Sequence, residues 1–150
     1  MGISSRRDGP VDPIAAAFFW LPELGMPPRP GVEGLSRPAA RVVIEAAPQA
    51  WRYAGDWLGT NYALESFTLV ERLGRQAPDL IRRGKPVRWA RACVWAVGHR
   101  YGLIGQDCGL DVPNLSRELD AKPHYLNRDA AAIREVIDQN WHIPLDYDFS

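Results

Sequence analysis

From residue 36 onward, apolar residues recur every three or four positions, the spacing that lines one face of a helix. "SRPAARVVIEAAPQAWRYAGDWLG" (36–59) opens on Ser36 and Pro38, a helix start, and Pro48 is expected to break or kink it near Ala47. "TNYALESFTLVERLGRQAP" (60–78) predicts a second helix. Leu64, Phe67, Val70 and Leu73 share its apolar stripe, and Pro78 marks its stop. "GKPVRWARACVWAVGHRYGLIG" (84–105) is the most apolar segment, opened by Pro86 and ended by Gly102 and Gly105. Ala90, Cys93, Val94 and Val97 make a continuous face that Trp89, Ala92 and Ala96 widen, so this helix is expected at the centre of the fold. Arg88, Arg91 and Trp95 lie three and four apart on another side. No segment alternates with a period of two, and no repeat is visible, so the pattern predicts an all-α helical bundle.

The last periodic stretch, "LDVPNLSRELDAKPHYLNRDAAAIREVI" (110–137), has two helical patterns around a short polar break. Asp111 suits the N-cap of the first, and Leu110 can staple onto Leu115. Leu115 and Leu119 point inward, with small Ser116 between them. Asp120 falls where such units place a glycine in the left-handed conformation, which Asp tolerates better than most residues. Ala121 plugs the turn, and Lys122 and Pro123 open the second helix, Lys being a poor cap there. Leu126, Ala130, Ile133 and Ile137 form its inner stripe. His124, Asn127, Arg128, Ala131 and Arg134 lie opposite, with Asp129 and Glu135 on or beside that outer face. This is the rhythm of a helix-turn-helix-like unit.

The start of the chain differs. Eight of the thirteen prolines fall at or before Pro48. Residues 1–35 are a proline-rich arm attached to a helical domain over 36–150. "DPIAAAFFWLPEL" predicts a short helix with Asp12 as N-cap and Pro13 in its first turn. Its apolar patch must dock on the main body or on a second copy of the chain, so a homodimer through this segment is one arrangement the pattern allows. "GMPPRPGVEG" (25–34) is a turn-rich, partly extended connector.

Formal net charge is zero, so the chain as a whole is not a polyanion binder. The distribution is uneven. Residues 72–100 hold eight bases against one acid, and residues 101–150 hold four bases against nine acids. The basic middle either pairs with the acidic tail, including Asp138, Asp146 and Asp148, or forms a separate surface. Cys93 and Cys108 show neither a disulfide framework nor a CxxC pair, so free thiols in the cytoplasm are expected. No apolar run approaches a membrane span.

The outer face of the last helix has chemistry suited to duplex DNA. Asn pairs with adenine and Arg with guanine in the major groove, while Lys122 and Arg134 could hold phosphates. Around the start of the central helix stand Arg82, Arg83, Lys85 and Arg88, suited to the phosphate backbone. The plainer alternative is that all of these are solvated positions.

"RRGKPVRWARACVWAVGHRYGLIG", followed by the 110–137 stretch, resembles a bacterial domain family of unknown function that is related to the cyclin-like repeats of transcription factor IIB. Its members pair a "GKP-x-x-WA" helix with a C-terminal helix-turn-helix. The resemblance covers about residues 64–137. It rests on Gly84, Lys85, Pro86, Trp89 and Ala90, and less specifically on Leu115, Leu119, Ala121 and Ile133. Two positions depart from the pattern: Asp120 stands for the turn glycine and Lys122 for a serine cap. The resemblance implies a transcription-factor-like helical bundle and supplies no activity.

An enzyme is not expected. His99, His124, His142 and the two cysteines lack metal-ligand spacing, and the chain has no phosphate-binding glycine loop and no GxSxG elbow. His99 is expected to be a hydrogen-bonded structural residue. Neither a metal nor a cofactor is called for. Two functions remain. One is a small bacterial or phage regulator that binds duplex DNA through Lys122, His124, Asn127, Arg128 and Arg134, with Arg82, Arg83, Lys85 and Arg88 on the backbone. The other is a non-catalytic protein-interaction module, an adaptor or inhibitor of a larger complex of the kind associated with phage or defence. The balanced charge, the acidic C-terminal third, the departures at Asp120 and Lys122 and the proline-rich arm with "FFWL" favour the second.

Overall fold

A computed structural model describes residues 24–104 and 112–149, without the side chains of 112–113 and 138–149. The elements run α1 (Arg37–Trp57), a 3-10 turn (Thr60–Tyr62), α2 (Ala63–Gln76), α3 (Pro78–Ile81), α4 (Pro86–Arg100), α5 (Val112–Glu118) and α6 (Pro123–Phe149). No strand occurs among the described residues, and the architecture is an all-α bundle. No described helix is long and apolar enough to cross a membrane.

Ser36 caps α1 as its position suggests: its hydroxyl accepts the Ala39 N–H at 3.3 Å. The expected break at Pro48 does not occur, and α1 continues to Trp57. Pro48 withholds the N–H that would reach the Ile44 carbonyl, but Ile44 lies on the exposed side, where water can satisfy it. Val43, Ala46, Ala47, Ala50 and Ala54 are fully buried on both sides of the proline. Their packing holds the helix against the roughly 3 kcal/mol that an internal proline costs.

α1 packs on α2 closely enough that a Cβ at Gly74 would collide with Val43. Phe67 meets the Trp51 ring edge-on at 6.0 Å. The α2 stripe is buried at Phe67, Val70 and Leu73, whereas Leu64 is 53% exposed. Leu64 sits in the first turn, where Ala63 takes the inward position and Tyr62 turns to the Tyr101 ring.

α4 is central, as its composition suggests. Trp89, Ala90 and every residue from Ala92 to Gly98 are buried, and the helix packs on α1, α2 and α6. Trp95, placed by spacing on the side of Arg88 and Arg91, is enclosed too. Burial pushes the Cys93 thiol far up, so it stays protonated and inert. Gly102, at φ 71°, closes the helix: its N–H reaches the His99 carbonyl at 3.1 Å, and the Leu103 N–H reaches Gly98 at 2.7 Å.

The connector is irregular and docked. The Trp51 indole donates to the Gly25 carbonyl at 3.0 Å, the Gly31 N–H donates to Glu71 at 2.6 Å, and Leu24 lies against Gly55. The expected arm helix from Asp12 and its docking or pairing face lie outside the described residues. So do Gly105, Cys108, Leu110 and Asp111, with the expected cap and staple.

Candidate nucleic-acid interface

The turn between α5 and α6 is built by backbone hydrogen bonds. The Asp120 N–H donates to the Arg117 carbonyl and the Ala121 N–H to Ser116, both at 3.0 Å. This pair of bonds requires a left-handed residue after the helix, and Asp120 supplies it at φ 56°. Asp120 is the non-glycine residue with positive φ among those described, in the place the sequence marks for glycine. The Lys122 carbonyl then accepts from Tyr125 and Leu126, each at 3.1 Å, and α6 begins at Pro123 despite the poor cap.

Leu126, Ala130, Ile133 and Ile137 are buried, as are Leu115, Ser116 and Leu119 across from them. His124, Asn127, Arg128, Ala131 and Arg134 are exposed. The packing therefore sets the inner and outer faces of α6 as the periodicity separates them.

Asp129 does not belong to the outer face. It is 6% exposed and turned toward α4, where Arg88 grips both carboxylate oxygens, Nε at 3.0 Å and Nη2 at 2.9 Å. Two parallel N–H donors match a carboxylate in distance and angle, so the pair tolerates a partly desolvated position. The hydrogen bond to Asp129 raises the Arg88 pKa further, against the opposing effect of burial. Arg88, one of the residues proposed for DNA backbone, is thus engaged inside the molecule. Asp129 is one of the nine acids of residues 101–150, so at Arg88 the basic middle does pair with the acidic C-terminal part; the side chains of Asp138, Asp146 and Asp148 lie outside the described residues.

A second polar link joins the same helices. The Trp95 indole N–H donates to the Asn127 Oδ1 at 2.7 Å. An indole only donates, so the contact identifies the oxygen and leaves the Asn127 NH₂ as the outward group. His99 meets the Trp95 ring edge-on at 5.6 Å. It is exposed rather than locked in the core, and partial burial and then the charge of Arg134 lower its pKa.

Beside the turn lies a cleft of about 680 Å³. Arg88, Arg91, Arg117, Lys122 and Arg128 contribute cations to it, against the carboxylates of Asp120 and Asp129. Arg91 approaches Asp120 only to 3.9 Å, and the Asp120 side chain is 93% exposed. Arg128 lies over the Tyr125 ring at 5.0 Å. Ala121, Pro123 and Leu126 supply the apolar part of the wall.

The nine positions proposed for DNA therefore fall into three places. Arg88, Lys122 and Arg128 line the cleft. His124, Asn127 and Arg134 stand on the outer face of α6. Arg82, Arg83 and Lys85 are exposed before α4 and do not line the cleft, and Arg82 lies 3.6 Å from Asp79. The sequence did not single out Arg117, Tyr125 or the inward role of Asp129. For Arg91 the signal was present in its spacing from Arg88 and Trp95, which places all three toward α6 or the turn. Among the described residues no three His, Cys, Asp or Glu side chains converge on a metal-sized site. Comparison with protein-family models, with curated proteins and with solved structures finds no match.

Proposed function

We propose that this chain is a non-catalytic regulator that binds duplex DNA with the outer face of α6. The observation that carries the reading is the inward clamp on Asp129. An outward Asp129 would repel phosphate, whereas Arg88 neutralises it behind the helix. The groove-facing set is then His124, Asn127, Arg128 and Arg134, whereas Lys122 lines the cleft at the helix start. Arg82, Arg83 and Lys85 would reach flanking phosphates. The left-handed Asp120 supports the same reading, since a helix-turn-helix needs such a turn.

Asn127 takes a definite role in this proposal. With its oxygen on Trp95, it offers its NH₂ to acceptors such as guanine O6 and N7 or thymine O4. Arg128 and Arg134 act on phosphate. Fluorescence anisotropy with mixed-sequence duplexes at low salt tests the proposal. The wild type is expected to bind, and Arg128→Ala with Arg134→Ala to weaken binding by at least about tenfold, while Arg52→Ala on α1 does not. Absence of affinity at low salt, or indifference to the double change, would reject it in favour of a protein-interaction module.

A further inference from the structure

We propose that the cleft at the α5–α6 turn is a separate site for a small phosphate monoester, a phosphate carried on an apolar body. This does not rest on the DNA reading. Volume places it first: about 680 Å³ lies within the range of small-molecule sites.

Charge comes next. The two carboxylates do not neutralise the cations around them. Both oxygens of Asp129 are taken by Arg88, and Arg128 Nε also reaches Oδ1 at 3.4 Å. Asp120 is almost wholly in water and touches Arg91 only at 3.9 Å, a contact that holds little. Arg91, Arg117 and Lys122 therefore keep their charge available. Among the described residues Lys122 has no ion-pair partner, and the bond of Arg117 is to the neutral oxygen of Asn114, at 2.8 Å.

Arg91 lines the cleft, and its Nη2 stands 3.9 Å from the exposed Asp120 carboxylate. Its Nε is closed to solvent, so a ligand oxygen in the cleft would meet the guanidinium at the Nη2 end. Several converging donors favour a dianion with three oxygens over a carboxylate with two. The positive end of α6, which starts at the same wall, adds to the preference. Ala121, Pro123 and Leu126 then give the body of the ester an apolar surface, which inorganic phosphate cannot use.

Calorimetric titration of the full chain with phenyl phosphate, inorganic phosphate and benzyl alcohol tests the site. Phenyl phosphate is expected to bind one per chain, about tenfold or more tighter than inorganic phosphate, and benzyl alcohol not at all. Arg91→Gln and, separately, the exposed Lys122→Gln should each weaken phenyl phosphate severalfold, and Arg134→Ala, outside the cleft, should not. Lys122→Gln keeps the test valid if Arg91→Gln disturbs folding. No binding at millimolar phenyl phosphate, or binding that Lys122→Gln leaves unchanged, would overturn the proposal. A short duplex added to the complex separates the two sources of phosphate. Retention of phenyl phosphate supports a small-molecule site. Stoichiometric displacement by DNA assigns the cleft to the DNA backbone and overturns it. Failure of DNA binding alone leaves the titration intact.

Discussion

α4 meets its neighbours through two different seams. Toward α1 and α2 the packing is apolar: alanine, valine and cysteine of α4 share one buried cluster with alanine, valine, leucine and Phe67 of those helices. Toward α6 it also offers Arg88 and Trp95, which fix Asp129 and Asn127 by directional bonds. An apolar seam draws its stability from area and tolerates small rotations of one helix against another. A polar seam of bidentate and single hydrogen bonds loses its contacts when a helix rotates, so it sets which residues of α6 look outward. The first seam accounts for the bundle, and the second for the face α6 presents.

The largest expected effect lies in the apolar seam. Phe67→Ala should lower the unfolding free energy by about 3–5 kcal/mol in a urea titration. A loss below about 1 kcal/mol would mean that this seam is not the main source of stability. Next comes the clamp. Arg88→Met should cost about 2–3 kcal/mol, less than for a fully buried pair because Arg88 is 37% exposed while Asp129 remains enclosed. Adding Asp129→Leu should restore most of the loss, since an apolar pair does not leave a stranded charge. A single Arg88→Met change without effect would break the distinction between the seams.

Trp95→Phe removes one hydrogen bond and should cost about 1 kcal/mol, while freeing the Asn127 amide to turn. The two helix ends that share one closing pattern give a smaller pair of effects. Asp120→Gly should stabilise by about 0.5–1 kcal/mol because glycine takes the left-handed conformation without strain, and Gly102→Ala should destabilise by a similar amount. Differential scanning calorimetry of both variants checks the signs. Glycine stands where the chain only turns. Aspartate stands where the turn rims a cleft, and its carboxylate faces Arg91.

His99 gives the smallest effect. Burial and Arg134 favour its neutral form, so its folded pKa lies below the ordinary 6.5. As pH falls through 6.5 the unfolded chain takes up the proton first, and a small part of the stability is lost until the folded pKa is passed. NMR titration of the His99 ring should show its pKa rising toward 6.5 in Arg134→Ala. No change would remove Arg134 from the surroundings of that ring.

Much of this was legible in the pattern of residues, because helix periodicity reports which side is buried. The stripe Leu126, Ala130, Ile133 and Ile137, the enclosure of α4 and the left-handed turn at Asp120 follow from spacing and residue type. Pro48 was misread because a local rule ignores the buried alanines on both sides of it. Leu64 was misread because the first turn of a helix is positioned by what precedes it. Asp129 was the costlier error for function. A charged residue beside an outer face reads as solvated unless its partner is known, and Arg88 lies 41 positions away in sequence. Trp95 with Asn127, and the place of Arg117 on the cleft, were hidden for the same reason.

The salt dependence of duplex binding tests the central claim most directly, because it counts phosphates neutralised by the outer face of α6. The logarithm of the wild-type affinity should fall linearly with the logarithm of salt concentration. Arg128→Ala with Arg134→Ala should reduce that slope by about 2, one for each lost phosphate contact. A slope unchanged by the two substitutions, or no measurable affinity at any salt concentration, would contradict the account.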